Sequence, residues 1–160
     1  MGVVKKAKAE LEKAYEESGI LVISDALNII GKYQEVDEVT GMMPEFSINA
    51  MQEDALRLTA LNFTIHSYLV EHDANSGRAK AKVKYEKARQ FNLIKKADIK
   101  KSDRRCENEA EEGVYQFVLD DIEKRKVSQY LDIASQRIID MVNMLKKTVE
   151  RVMWQGVQPG

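Results

Sequence analysis

Periodicity, proline placement and composition predict an all-α protein, a helical hairpin or bundle with a long amphipathic C-terminal helix that assembles as an oligomer. Apolar residues recur at three- and four-residue steps through most of the 160-residue chain, the spacing that places them on one helix face. The two prolines, Pro44 and Pro159, leave the stretch from Ser47 to Trp154 uninterrupted. A hydrophobic content of 44% beside 32% charged residues fits a soluble, helix-rich chain. The length suits one domain with a real core, and a second independent core would be a squeeze. Two regions follow from this pattern: 1–46, with short helices and an acidic linker, and 47–160, the main helical domain.

Taken in order, residues 3–17 are rich in Ala, Lys, Glu and Leu, with Ala7, Leu11 and Tyr15 four apart on one stripe. Ser24 and Asp25 are placed to cap a second short helix, with Ile23 ahead of it and Leu27, Ile30 and Tyr33 on its face. The run Gly19-Ile20-Leu21-Val22-Ile23 is too short to span a bilayer and is expected to be a buried segment or an oligomer contact. Residues 34–46, with Gly41, Pro44 and several acids, read as a loop. Ser47 is the N-cap expected for the next helix. Its seam runs Ile48, Met51, Ala55, Leu58, Asn62, Ile65 and Leu69, broken only by the amide of Asn62. Asn75-Ser76-Gly77 is a turn signal expected to end that helix. From Glu107 to Trp154 the pattern is helical again, with Gly113 marking a kink or the true start. Leu131, Ala134, Ile138, Met141, Leu145, Thr148 and Val152 form a heptad-like seam widened by Ile139, Val142 and Val149. A helix packed inside one subunit and a seam between subunits both fit, and the width of the stripe favours oligomerisation. Trp154 is expected to plug an apolar contact rather than stack on a base. The seven methionines read as core filler.

Charge is sorted along the chain. Between Arg78 and Arg105 stand twelve Lys or Arg against Glu86, Asp98 and Asp103, a net +9 in 28 residues of a protein whose overall charge is −1. A concentrated basic stretch lets a chain meet a polyanion without being basic overall. Phosphate binding needs several cations at backbone spacing, and single-strand binding adds aromatic faces for base stacking. Arg78, Lys80, Lys82, Lys84, Lys87 and Arg89 supply the cations, and Tyr85 and Phe91 the rings. As a helix, the segment puts Lys80, Lys84 and Lys87 on one stripe and Arg78, Lys82 and Arg89 on another, separated by Ala81, Tyr85 and Ala88. As a strand, it puts Lys80, Lys82 and Lys84 on one face. Lys95, Lys96, Lys100, Lys101, Arg104 and Arg105 run on through a loop at Ser102-Asp103 and would extend the track. A solvated helix face paired with Glu107, Glu109, Glu111 and Glu112 is the competing account of the same charges.

Lys80-Ala81-Lys82-Val83-Lys84-Tyr85 resembles the Lys-Ala-Arg-Leu-Asp-Tyr core of the recombination mediator family of T-even-type bacteriophages, the UvsY proteins. Ala81 and Tyr85 are identities with that core, Lys80 matches its lysine, Lys82 its arginine and Val83 its leucine. Lys84 replaces its acid with a base. The order of a helix, the motif, a polar region and a long amphipathic helix covers roughly residues 50–154, while the first 45 residues have no counterpart. The resemblance implies a small oligomeric accessory protein that binds single-stranded DNA and helps load a recombinase onto strands coated with single-strand-binding protein. It implies those two proteins as partners, a ring or bundle held by C-terminal helices, DNA contacts from 47–160, and the cytoplasm of an infected host cell as the setting. Multivalency would make weak individual sites collectively strong.

The sequence offers little for catalysis, and no enzyme, metal or cofactor is expected. His66 and His72 lie six apart, a poor spacing for co-ligands on one helix, with no Glu-x-x-His partner. The lone Cys106 excludes an internal disulfide, fits a reducing cytoplasmic setting and has no evident His or Asn partner beside Arg104 and Arg105. Glu109 and Glu112 are similar to the Glu-x-x-Glu half of helical nucleotide pyrophosphohydrolases, without the downstream Glu-x-x-Asp. No Gly-rich phosphate loop or nucleophile elbow occurs. No targeting segment or membrane span is expected. The competing functional readings are a helical viral or phage scaffolding protein without nucleic-acid binding, and a small inhibitor that sequesters a partner through its acidic N-terminal half.

Overall fold

A computed structural model describes residues 2–39 and 47–157, with the side chains of 34–39 and 155–157 excepted. The fold is all-α. Among the described residues there are five helices and no strand: α1 (Val3–Ser18), α2 (Leu21–Val39), α3 (Ile48–Ala97), α4 (Asp103–Gly113) and α5 (Tyr115–Val157). They fall into two compact units. The first comprises residues up to Leu69 together with those from Gln129 onward, and the second runs from Val70 to Ser128.

In the first unit α1 buries Val4, Ala7, Leu11 and Ala14. Tyr15, expected on this stripe, is half-buried beside it. Gly19 then adopts φ +66° and donates its N–H to the Tyr15 carbonyl at 2.8 Å, a left-handed cap that glycine reaches at least cost. That cap reverses the chain so tightly that α2 starts at Leu21. Ser24 and Asp25 therefore lie inside α2 and cap nothing, and Ile20 and Ile23 go directly into the core. The helix also continues through 34–39, expected to be loop, because no glycine or proline occurs there to stop it. Residues 40–46, the remainder of that expected loop, lie outside the described residues.

Ser47 caps α3 as expected, its Oγ accepting the Ala50 N–H at 3.1 Å. The α3 seam packs as spaced, with Met51, Ala55, Leu58, Ile65 and Leu69 buried. Asn62 does break it, burying an Oδ1 that finds no hydrogen-bond partner. Across from α3, the α5 residues Leu131, Ala134, Ile138, Met141 and Leu145 have no exposed surface, and Val142, Thr148 and Val149 are buried beside them. The α5 seam is thus consumed inside one chain. Only its margin, Ile139 and Val152, reaches solvent.

Polar contacts set the helix order in this unit. Asp54 on α3 accepts from Tyr33 Oη (2.6 Å) and Lys32 Nζ (3.3 Å) of α2. His66 Nε2 of α3 lies 3.2 Å from Ser135 Oγ of α5. Arg137 of α5 binds Glu10 of α1, and Lys13 of α1 stands 5.5 Å from the Tyr130 ring centroid of α5. Trp154, expected to fill an apolar contact, is instead 72% exposed near the end of α5, because the buried stripe of that helix ends at Val149.

The second unit holds the rest of α3, all of α4 and the start of α5. Asn75-Ser76-Gly77 does not turn. α3 runs through it to Ala97, and Gly77 keeps a helical backbone, Gly19 being the only described residue with positive φ among the glycines. A mid-helix glycine costs about 1 kcal/mol. Here Ala79 is buried two residues on, and Asp73 accepts a hydrogen bond from Ser128, so tertiary contacts outweigh that cost. A short turn at Asp98–Lys101 reverses the chain, and Ser102 caps α4 by accepting the Arg105 N–H at 3.3 Å. Cys106, Ala110 and Val114 are buried. Gly113, expected to mark a kink or the true start of the last helix, ends α4 two residues before α5 begins, and it does so where α3 comes close. Gln90 Nε2 donates to the Gly113 carbonyl at 3.1 Å, and a Cβ on Gly113 would stand 1.7 Å from Gln90 Oε1.

Candidate nucleic-acid interface

The basic segment is helical from Arg78 to Lys96, so the strand arrangement does not occur. The helical arrangement fixes which residues meet solvent. Ala79 is buried, and Val83, Glu86 and Gln90 are half-buried on the side that faces α4 and α5. Opposite them, Ala81, Tyr85 and Ala88 form an exposed ridge, with Tyr85 exposed at 67%. Arg78, Lys82 and Arg89 flank that ridge on one side, and Lys80 and Lys84 on the other, all exposed. The spacing of the six-residue motif thus delivers one outward ring between two rows of cations.

Partners divide these cations into two groups. Lys87 is half-buried and its Nζ contacts Glu111 Oε1 at 2.7 Å. Arg89 binds Glu86 Oε2 through Nε and Nη2, both at 3.0 Å. Lys82 Nζ lies 5.0 Å from the Phe117 ring centroid, within cation–π range, and has no carboxylate partner among the described residues. Arg78, Lys80 and Lys84 form no ion pair among the described residues. Phe91 is half-buried and offers less of its face than Tyr85.

The second cluster is more heavily neutralised. Lys95 Nζ contacts Asp103 Oδ1 at 2.9 Å and donates to the Lys101 carbonyl at 2.6 Å. The Asp103 carboxylate raises the Lys95 pKa from its ordinary value, chiefly by that hydrogen bond and against the opposing effect of desolvation. Lys101 binds both Glu109 oxygens at 2.8 and 2.9 Å, and Arg105 Nε approaches Glu109 Oε1 at 3.6 Å. Lys96, Lys100 and Arg104 remain exposed without an ion pair among the described residues. The acidic run therefore does meet the basic one, through Glu109 and Glu111, and it leaves the motif's own lysines untouched. That division depends on which turn of α4 faces which turn of α3, which residue spacing alone does not give.

Elsewhere among the described residues no comparable constellation forms. Among the described residues no three His, Cys, Asp or Glu side chains are grouped as metal ligands. His66 faces Ser135, and the Cys106 thiol is buried. No helix among the described residues is long and apolar enough to cross a membrane. No protein-family model matches the chain, and neither a curated protein nor a solved structure matches it.

Proposed function

We propose that this chain is a single-stranded-DNA-binding accessory protein of the recombination mediator type, acting as a homo-oligomer in the cytoplasm of an infected host cell. The observation that carries the reading is Tyr85, turned to solvent on α3 between the exposed cations Arg78, Lys82, Lys80 and Lys84. A base stacks on the ring while the phosphates on either side meet the two cation rows. Base–aromatic stacking contributes about 1–3 kcal/mol per base, and neutralised phosphates contribute through counterion release. A mediator of this type binds and positions DNA and hydrolyses no nucleotide. The recombinase and the single-strand-binding protein enter as partners through the likeness of Lys80–Tyr85 to the UvsY core.

One observation favours a second reading, a helical scaffolding protein indifferent to DNA. The pairs Lys87–Glu111, Lys95–Asp103 and Lys101–Glu109 neutralise part of the basic segment from within. Light scattering of the full chain with and without a single-stranded oligonucleotide separates the two. The mediator reading expects a complex at low salt that dissolves as salt rises. Defined oligomers whose mass ignores the oligonucleotide would select the scaffold.

A further inference from the structure

The acids of the second unit are as concentrated as its cations. From Glu107 to Glu123 the chain carries seven acids and no Lys or Arg, a net −7 in 17 residues. Glu109 and Glu111 are held by Lys101 and Lys87, and Asp120 and Asp121 by Lys124 and Arg125 of their own helix. Glu107, Glu112 and Glu123 are exposed and form no ion pair among the described residues. Among these acids the first turns of α5 present an apolar stripe to water. Tyr115, Leu119 and Ile122 follow one another on it at a four- and a three-residue step, exposed at 60%, 39% and 49%. A helix face turned to water ordinarily carries charge, and large apolar side chains grouped there within a polar rim mark a contact surface.

We propose that this face of α5 receives the Ala81, Tyr85 and Ala88 ridge of α3 from a second copy of the chain. Both surfaces lie within the second unit, between Val70 and Ser128. Charge selects the occupant. Residues 78–89 carry six Lys or Arg against Glu86, a net +5, and the contact sets them against the −7 of 107–123. The same acids repel a nucleic-acid strand from this face. Spacing and size agree with that choice. The ridge repeats the four- and three-residue steps of the stripe, with small residues at its ends and a ring at its centre. Whichever way the two helices run, the alanines fall opposite Tyr115 and Ile122, and Tyr85 falls opposite Leu119. Each large end of the stripe therefore meets a small end of the ridge. The docked ridge is the surface read above as the DNA contact, so a docked chain is closed to a strand. That consequence rests on the DNA reading, and the docking itself does not.

The test uses the full chain without nucleic acid, so its outcome is separate from that of DNA binding. Sedimentation equilibrium at low salt is expected to show masses above that of the monomer. They should fall toward it as salt rises to about 1 M, where screening acts over ~3 Å. Two variants each remove one half of the contact: Lys80→Glu with Lys84→Glu on the ridge, and Ile122→Lys with Glu123→Lys on the α5 face. Each is expected to raise the dissociation constant about tenfold or more. All four side chains are exposed, so circular dichroism of either variant should match the wild type. An equimolar mixture of the two variants should regain association, because the intact ridge of one chain meets the intact α5 face of the other. A wild-type chain monomeric at low salt, assemblies indifferent to salt or to either variant, or a mixture that stays dissociated would each overturn the proposal.

Discussion

Tyr33 carries the largest local electrostatic consequence in the first unit. Its hydroxyl is buried and donates to Asp54, and burial first, then the carboxylate, holds its proton well above the ordinary tyrosine value. The folded state therefore keeps a proton that the unfolded chain gives up near pH ~10. The associated stability is fully present below that pH and is lost as pH rises through the folded value. Urea unfolding at pH 9 and pH 11 should show a loss of stability that Tyr33→Phe largely abolishes. At pH 7 the same substitution should cost about 1–2 kcal/mol, since Asp54 loses a buried donor. In the second unit the decisive residues are the acids that hold Lys87 and Lys101. Glu109→Gln with Glu111→Gln should tighten oligonucleotide binding and steepen its salt dependence, because Lys87, Lys101 and Arg105 lose their carboxylate partners. Thermal stability should change little through Lys87–Glu111, an exposed pair of the kind that contributes about 0–1 kcal/mol, and somewhat more through the half-buried Lys101–Glu109 pair. Weaker binding by that variant would show that the acids organise the surface rather than mask it.

At the scale of elements, caps and seams have separable effects. Ser102→Ala removes the N-cap of the 11-residue α4 and should lower stability by about 1 kcal/mol in denaturant titration. Ile138→Ala opens the centre of the α5 seam, where no surface is exposed, and should cost about 2–5 kcal/mol. The seams of α3 and α5 were legible in the sequence because a 3–4 repeat leaves few alternatives, and Ser47 was legible because a cap is a local event. Three boundaries were not. Ser24 looked like a cap because nothing local reveals that Gly19 turns the chain only two residues before α2 begins. The acids of 34–39 looked like a linker, yet acids do not stop a helix. Asn75-Ser76-Gly77 has turn chemistry, and packing around Ala79 and Asp73 decides against it. In the site, the helical face with Tyr85 between cations was legible from residue spacing. That the acidic run could pair with the basic one was legible as well, but which lysines it takes, Lys87 and Lys101, and which it leaves was not, because that depends on how α4 folds back along α3.

For the molecule as a whole, the separation of charge is the property from which the proposed function grows. A net +9 between Arg78 and Arg105 within a chain of −1 makes the protein locally cationic while globally near neutral. Attraction to a polyanion is then short-ranged and screened over about 8–10 Å at physiological ionic strength. Binding should consequently be governed by a few phosphate contacts rather than by the net field. That central claim is tested most directly by fluorescence anisotropy of a labelled single-stranded oligonucleotide, titrated with the full chain from low to high salt. The account predicts affinity that falls linearly on a double-logarithmic plot. In Lys80→Ala with Lys82→Ala, binding should be weaker and the slope shallower by about one to two units. Absence of binding at low salt, or a double variant indistinguishable from the wild type, would contradict it.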